Sequence, residues 1–522
     1  MANDAAHDLQ SLQGSTHSIP WWQHARDYLR SGRYNLALAS YRKLVQQFPL
    51  VPMLRAEMGL AFAGELEFAQ ADQAFQRALQ LAPGQADLLI GIGLQYCQMR
   101  RMDQACACFE RAVAASPSSF QARRLLATYL EKNSRLDEAW ETIETYLARN
   151  PKDGQAVYFK AFLLHRKGLN NEAETALRNL LENDPAPAVD LQADACHLLG
   201  VILDGFGQYV EALSFFEKSK ALKRQTMDTT ALESGYEKMV GARRALMAEL
   251  TPETLRRWRE ESAASPCVHS LALLAGAARS GTTLIEQILG AHPEIVVGDE
   301  LTCFVKEIFG PLHKLPSWLT LNSLDGLEAT RRAQFAGRYF KSFLQETGQP
   351  PGARLLLDKN PYATAWLPFW LRFFPQSKVI IALRDPRDVV ISLYFRNIPA
   401  GDLAMVSHIS LERTARDYSE CMDVWLRMRE LGGFDWIETR YEDVVGNLES
   451  EGRRLMNFLG LPWHQAQANY YEAARGKFVH SPTYHEVRQP VYKRAMQRWK
   501  HYAEALAPLQ ERLEPYLRAF GY

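Results

Sequence analysis

Prolines at positions 49, 83, 117, 151 and 185 stand 34 residues apart. A fixed period of that length demands a stack of similar supersecondary units, because a single unit of this size cannot bury its apolar face without a neighbour. Other positions keep the same period. Gly59 and Gly93 lie 24 residues before Pro83 and Pro117, where two helices must approach closely. Ala37, Ala71, Ala105, Ala139 and Ala173 lie 12 before the prolines, and Tyr41, Phe75, Phe109, Ile143 and Leu177 lie eight before. A small residue at a tight contact and a bulky one in the groove describe a helix–turn–helix unit. A sixth unit, ACHLLGVILDGFGQYVEALSFFEKS, repeats the pattern through Gly200, Ala212 and Phe216, about five residues late and without the closing proline.

Residues 18–225 resemble an array of six tetratricopeptide repeats, whose period is 34. Residues 1–17 precede it as a flexible N-terminus. The resemblance implies an α-helical solenoid whose concave face docks a protein or peptide partner. The alternative is that the array packs on the second half of the chain and dimerises, which leaves a homodimer open. Residues 226–262 lose the repeat but stay helical, with Thr251 as N-cap, Pro252 at the first helical position and Glu253 in the first turn of one helix.

At 522 residues the chain needs more than one core. Its 60 basic and 60 acidic side chains cancel, which argues against nucleic acid or an anionic membrane as the main partner. Any anion site must be local. The start, MANDAAHDLQSLQGSTHSIPWW, lacks the basic and apolar regions of a secretory signal. The apolar stretch Leu271–Ala278 is only eight residues, against the ~20 needed to span a bilayer. Seven scattered cysteines fit reduced thiols better than disulfides. The expectation is a cytoplasmic protein with no integral membrane segment and no nucleic-acid partner.

From Val268 onward the texture changes to short apolar runs alternating with helical patterns. Strands are expected at Val268–Ala275, Ala353–Leu357, Lys378–Leu383 and Asp435–Thr439, with helical patterns near 282–291, 363–373, 386–396 and 411–430. Strand and helix in alternation imply a parallel sheet covered on both faces, with anion sites beyond the strands' carboxyl ends. The stretch Arg279–Thr283, RSGTT, falls at such an end. Ser280 and Gly281 permit a tight turn, Thr282 and Thr283 add hydroxyls, Arg279 adds a permanent charge and the following helix adds its dipole. The string G-x-x-x-x-G-K-[ST] of a nucleoside-triphosphate loop is not present. Lys359 ends a second strand, and Arg384 ends a third. Ser392 and Arg396 follow Arg384, one helical turn apart on one face. Cations delivered to the same rim suit a nucleotide with phosphates at two ends.

RSGTT followed by HPE and GDE, then DKNP, then RDPRD with Ser392, resembles the sulfotransferase family over residues 268–500, and most of all its tyrosylprotein sulfotransferase branch. The resemblance implies an α/β P-loop-like domain with a central parallel sheet, spanning 263–522. It implies a 3′-phosphoadenosine 5′-phosphosulfate donor, an adenosine 3′,5′-bisphosphate product and no metal. Arg279, Ser280, Gly281, Thr282 and Thr283 would cradle the 5′-phosphosulfate. Arg384, Ser392 and Arg396 would surround the 3′-phosphate. Tyr441 would contact the nucleotide, and Thr483 and Arg498 would close over its phosphates. Glu300 would be the base, with Asp299 as its rival, and Lys359 and Arg279 the cations facing the leaving group. His292 is expected to be a capping or structural histidine, and Arg387 with Asp388 a surface pair. Two positions depart from the branch: Thr302 replaces an arginine two residues after the base, and Gln489 replaces a lysine before proline. An acidic tyrosine peptide is therefore not implied as acceptor. The expected activity is sulfuryl transfer to an acceptor hydroxyl on a docked protein or peptide, or on a sugar, lipid or small molecule. The alternatives are a repeat scaffold with a nucleotide-binding, non-catalytic C-terminal domain, and a P-loop kinase, which the missing loop lysine disfavours.

Overall fold

The computed structural model describes residues 20–182, 186–263, 269–313, 319–348, 355–398, 406–475, 489, 491 and 495–522. Pro185 and Thr483 lie outside them. The chain forms two compact units, one up to Ala176 and one from Leu177 to Tyr522.

The first unit is a run of antiparallel helix pairs: α1 (Pro20–Arg30) with α2 (Tyr34–Gln47), α3 (Pro52–Gly64) with α4 (Phe68–Leu81), α5 (Ala86–Gln98) with α6 (Met102–Ala115), and α7 (Phe120–Lys132) with α8 (Leu136–Leu147). The next pair is α9 (Gly154–Arg166) and α10 (Asn170–Leu181), whose last residues belong to the second unit. The periodic positions do the work their chemistry suggests. Ala37, Ala71, Ala105 and Ala139, with Tyr41, Phe75 and Phe109, are fully buried. The Phe109 ring lies so close to Gly93 that a Cβ there would sit 2.6 Å from it.

The turn between paired helices shows a periodicity that the sequence hides. Gly32, Leu66, Arg100, Ser134 and Gly168 all have positive φ, between 58° and 80°. They too stand 34 apart. The tight turn requires a left-handed residue, yet only the first and last of the five are glycine; the other three carry the Cβ penalty of about 1–2 kcal/mol. Beyond Gly168 a Cβ would meet nothing within 4 Å. Gly168→Ala should therefore lower the unfolding free energy by about 1 kcal/mol on conformational grounds alone, and Ser134→Gly should raise it by up to about 1 kcal/mol. Urea unfolding of the full chain checks both signs.

The second unit opens with α11 (Val189–Gly205) and α12 (Tyr209–Gln225), the sixth repeat-like pair, then α13 (Thr229–Glu249) and α14 (Pro252–Ala263). Five strands follow: β1 (Ser270–Gly276), β2 (Ile295–Asp299), β3 (Leu355–Lys359), β4 (Lys378–Leu383) and β5 (Trp436–Arg440). All pair in parallel in the order β2-β3-β1-β4-β5. Six of the seven residues of β1 and all five of β3 are buried, as central parallel strands covered on both faces must be. The strand β2 is not among those expected from sequence. Its five residues, which end in Gly298 and Asp299, are too few to show a period.

Helices α15 (Thr282–Gly290), α16 (Pro386–Tyr394) and α17 (Leu411–Leu431) follow β1, β4 and a later loop. From β1 the chain crosses to β2 on one side, and from β4 to β5 on the other. The direction of the connections therefore reverses between β1 and β4, where ligands of open α/β sheets bind. The connector is packed rather than free: on α13, Tyr236 donates to Asp417 of α17 at 3.0 Å, and Glu237 pairs with Arg416 at 2.7 Å. The six described cysteines are free thiols, and no described helix is long and apolar enough to cross a membrane.

Candidate active site

The loop after β1 runs from Gly276 to Gly281, and α15 starts at Thr282. Gly276 (φ 141°) and Gly281 (φ 90°) both need glycine's freedom. A Cβ on Gly276 would lie 2.3 Å from the Ala382 carbonyl oxygen, and one on Gly281 would lie 2.5 Å from the Tyr441 ring. These two glycines stand five apart, so the G-x-x-x-x-G half of a phosphate loop is present after all, with Thr282 and Thr283 where a triphosphate loop has Lys and Ser/Thr. The spacing is visible in the sequence, but without the lysine it does not draw the eye to Gly276. Arg279 itself sits at φ 72°, a strained left-handed conformation for a residue with a side chain. Ser280 donates its hydroxyl back to the Ala277 carbonyl at 2.5 Å, so it braces the loop. Ser280, Thr282 and Thr283 are all buried.

A residue not singled out by sequence holds the loop's root. The fully buried Thr364 accepts from the Gly276 N–H at 2.7 Å and lies 2.9 Å from the Gly276 carbonyl. No motif marks it; it stands five residues after Lys359, in the short 3-10 helix Pro361–Trp366.

The end of β4 meets this loop. Arg384 donates to the Arg279 carbonyl at 3.1 Å and to the Ala495 carbonyl at 2.5 Å. Its guanidinium lies 5.0 Å from the centre of the Tyr441 ring. Its Nε is buried with no hydrogen-bond partner among the described residues. Arg279 in turn donates from Nε to the Ser392 hydroxyl at 2.9 Å. The two cationic clusters that the sequence separates are therefore contiguous, joined through Arg279. Arg396 lies further out, donating to the Tyr362 hydroxyl at 2.8 Å. Arg498 pairs with Asp204 at 2.6 Å. Arg387 and Asp388 are not a surface pair. Asp388 is 1% exposed and accepts from the backbone N–H groups of Gln497 and Trp499, both at 2.8 Å, while Arg387 pairs with Asp385 and stacks on Trp499. Burial pushes the Asp388 carboxyl up, against the opposing field of Arg384.

On the other side of β1, strand register builds an ion cluster. Asp299 pairs with Lys359 in the ladder, so both side chains share a face. The Lys359 ammonium, fully buried, reaches Asp299 at 2.6 Å, Glu300 at 2.8 Å and Glu286 at 3.9 Å. Desolvation alone would lower its pKa, but the carboxylates, Asp299 first, outweigh it and hold the ammonium above its ordinary value. Glu300 has φ 48°, a second strained residue, fixed by its N–H on the Lys359 carbonyl at 2.9 Å. Of the three carboxylates it is the exposed one: its side chain is 37% exposed, against 12% for Asp299 and 4% for Glu286. His292 accepts from the Glu294 N–H at 3.1 Å, a local capping role.

Between the loop and α13 lies a cavity of about 160 Å³, lined by Ala277, Ala278, Pro361, Trp366, Tyr236 and His408 among others. Thr364→Val would strip the buried Gly276 peptide, at the root of the loop, of its partner, which costs about 1–3 kcal/mol. The expected result is a stability loss of that size in urea, largely restored in Thr364→Ser.

Residues 272–465 match the sequence model of the sulfotransferase family, and residues 23–86, 91–154 and 127–188 match a tetratricopeptide repeat model. An uncharacterized protein of Aquifex aeolicus is 26% identical over 64% of this chain and 43% of its own length. A protein named protein-tyrosine sulfotransferase 1, from Danio rerio, is 28% identical over 39% of this chain and 56% of its own length. A Caenorhabditis briggsae protein named putative protein-tyrosine sulfotransferase is 28% identical over 39% of this chain and 69% of its length. Among solved structures, the sulfotransferase domain of the Synechococcus PCC 7002 olefin synthase aligns with 22% identity and a TM-score of 0.34, covering 44% of this chain and 87% of that one. The repeat protein YrrB aligns with 21% identity and a TM-score of 0.27, covering 38% of this chain and 97% of that one. The chain thus joins tetratricopeptide repeats, over residues 23–188, to a domain over residues 272–465 that matches the sulfotransferase family.

Proposed function

We propose that this protein transfers a sulfuryl group from 3′-phosphoadenosine 5′-phosphosulfate to an acceptor hydroxyl, with the acceptor carried on a protein or peptide that the repeats dock. The observation that carries the reading is the junction of the β1 loop with the end of β4. Two glycines there let the loop close against the Ala382 carbonyl and the Tyr441 ring, which sets the start of α15 beside Arg384, and that buried arginine keeps an unused N–H. These features fit a phosphorylated nucleotide.

Bound, the donor supplies a sulfuryl group activated by its bond to the 5′-phosphate. The chain's part is positioning and charge. Arg279 and the first turn of α15 hold the 5′ end, while Arg384 and Ser392 hold the ribose-side phosphate, with Arg396, Tyr441 and Arg498 around them. Fixed positive charge where the leaving phosphate gains negative charge is the strongest stabilisation such a site offers. Glu300 takes the acceptor proton as the acceptor oxygen bonds to sulfur and the sulfur–phosphate oxygen bond breaks. Its exposure favours it over Asp299, which is less exposed and lies 2.6 Å from the Lys359 ammonium. Lys359 shares its charge among three carboxylates, so its role in this scheme is to hold Glu300 in place and to face the leaving group from beneath.

Calorimetry with adenosine 3′,5′-bisphosphate against ATP and GTP tests the ligand. Tight binding of the bisphosphate alone is expected; a preference for either triphosphate overturns the reading. In Glu300→Gln, bisphosphate affinity should stay near wild type while transfer of labelled sulfate falls by about 10²–10⁴. Wild-type transfer by that variant removes Glu300 from the mechanism. Bisphosphate binding with no transfer to any fraction of a lysate supports the scaffold reading instead.

A further inference from the structure

The helix pair α11 and α12 continues the repeat pattern, yet its polar residues turn to the transferase site. The last turn of α16 carries Ser392, and the carbonyls beyond it have no partners further along the helix. Residues of the repeat-like pair take them. The His197 ring Nε2 lies 2.9 Å from the Phe395 carbonyl. Lys220 donates to the Arg396 carbonyl at 2.9 Å, and Lys223 to the Ile398 carbonyl at 3.0 Å and to the Asn397 side chain. Two ammonium groups at a helix C-terminus also complement its dipole. The rings of Phe216 and Phe395 stack 4.0 Å apart. At the C-terminal end of α11, Asp204 accepts from both Arg498 and the Tyr502 hydroxyl, and the Arg498 guanidinium lies 5.2 Å from the Phe395 ring centre.

The charge balance here is unusual. Lys220 and Lys223 are 4% and 6% exposed, and burying a cation is costly unless an anion offsets it. Lys223 has Asp194 at 3.4 Å; Lys220 has no carboxylate within ion-pair distance among the described residues. Burial, with the fields of Lys223 and Arg396, pushes Lys220 down to about 7. Basic side chains thus crowd the helix end beside Arg396, one turn from Ser392, and a ligand phosphate there would favour the charged form of Lys220.

We propose that Lys220 and Asp204, on a helix pair built as a repeat, are positioning residues for the ribose-side phosphate: Lys220 fixes the Arg396 backbone at the end of the Ser392 helix, and Asp204 fixes the Arg498 guanidinium. The proposal rests on the reading of the site as one for adenosine 3′,5′-bisphosphate and its sulfated donor. The sixth helix pair is then a wall of the nucleotide site and not a segment of the docking array.

The test uses the full chain and two ligands, adenosine 3′,5′-bisphosphate and adenosine 5′-phosphate, which differ by the phosphate in question. Lys220→Met and Asp204→Asn should each weaken the bisphosphate tenfold or more and leave the monophosphate within twofold; Asp204→Glu should recover most of the loss. A wild-type protein that binds the two ligands alike overturns the nucleotide assignment, and this inference with it. A wild-type protein that prefers the bisphosphate, with both variants within twofold of it, overturns this inference alone. Equal weakening of both ligands also overturns it, since that is what a merely structural role produces. Circular dichroism establishes that the variants are folded, and if Lys220→Met is not, the partly exposed Asp204 decides.

Discussion

The close parallel pairing of β1 with β4 is the constraint on which the site depends. Gly276 stands beside Ala382 in that ladder, and the approach is so tight that no side chain fits at 276. Because the two backbones meet there, the loop after β1 and the residue after β4 share one space, and Arg384 can reach the Arg279 carbonyl. A wider spacing would leave two separate positive patches. Thr364, bonded to both polar groups of the Gly276 peptide, keeps the loop's root in register with the strand end.

Two unlike electrostatic environments flank this junction. Toward β4 the groups are arginines and a serine hydroxyl, with the buried Asp388 3.6 Å from Arg384 and one buried N–H unused. Toward β3, one lysine sits among three carboxylates, which sum to a charge of −2 when all are ionised. An anion belongs on the first side and a proton acceptor on the second, and the loop lies between them. The two strained backbone positions at the site, Arg279 and Glu300, fall one on each side. Strain of that kind persists where surrounding structure fixes it, here through hydrogen bonds to Arg384 and Lys359.

Much of this architecture is legible in the chain, for identifiable reasons. The repeats announce themselves because each unit needs the same small and large residues at the same depth. β1, β3 and β4 stand out as apolar runs, since central parallel strands are buried on both faces. β5, at the sheet edge, matches the expected strand at Asp435–Thr439 with only one of its five residues buried. β2 does not, because five residues ending in Gly298 and Asp299 carry almost no pattern. The left-handed turns of the repeats are invisible in the sequence, as Leu66, Arg100 and Ser134 adopt a conformation their residue types disfavour. Arg387 and Asp388 look like a helix-surface pair by spacing alone. Only the tertiary fold brings the Gln497 and Trp499 backbone onto Asp388. The contacts of Lys220 and Asp204 join residues more than 170 positions apart, which periodicity cannot report.

A crystal structure with adenosine 3′,5′-bisphosphate bound tests the central claim most directly. The account predicts one phosphate at the start of α15 and the other against Arg384, with the Arg279–Ser392 hydrogen bond exchanged for contacts to the ligand. A nucleotide lodged elsewhere, with that hydrogen bond intact and the Arg384 Nε still unused, would contradict it.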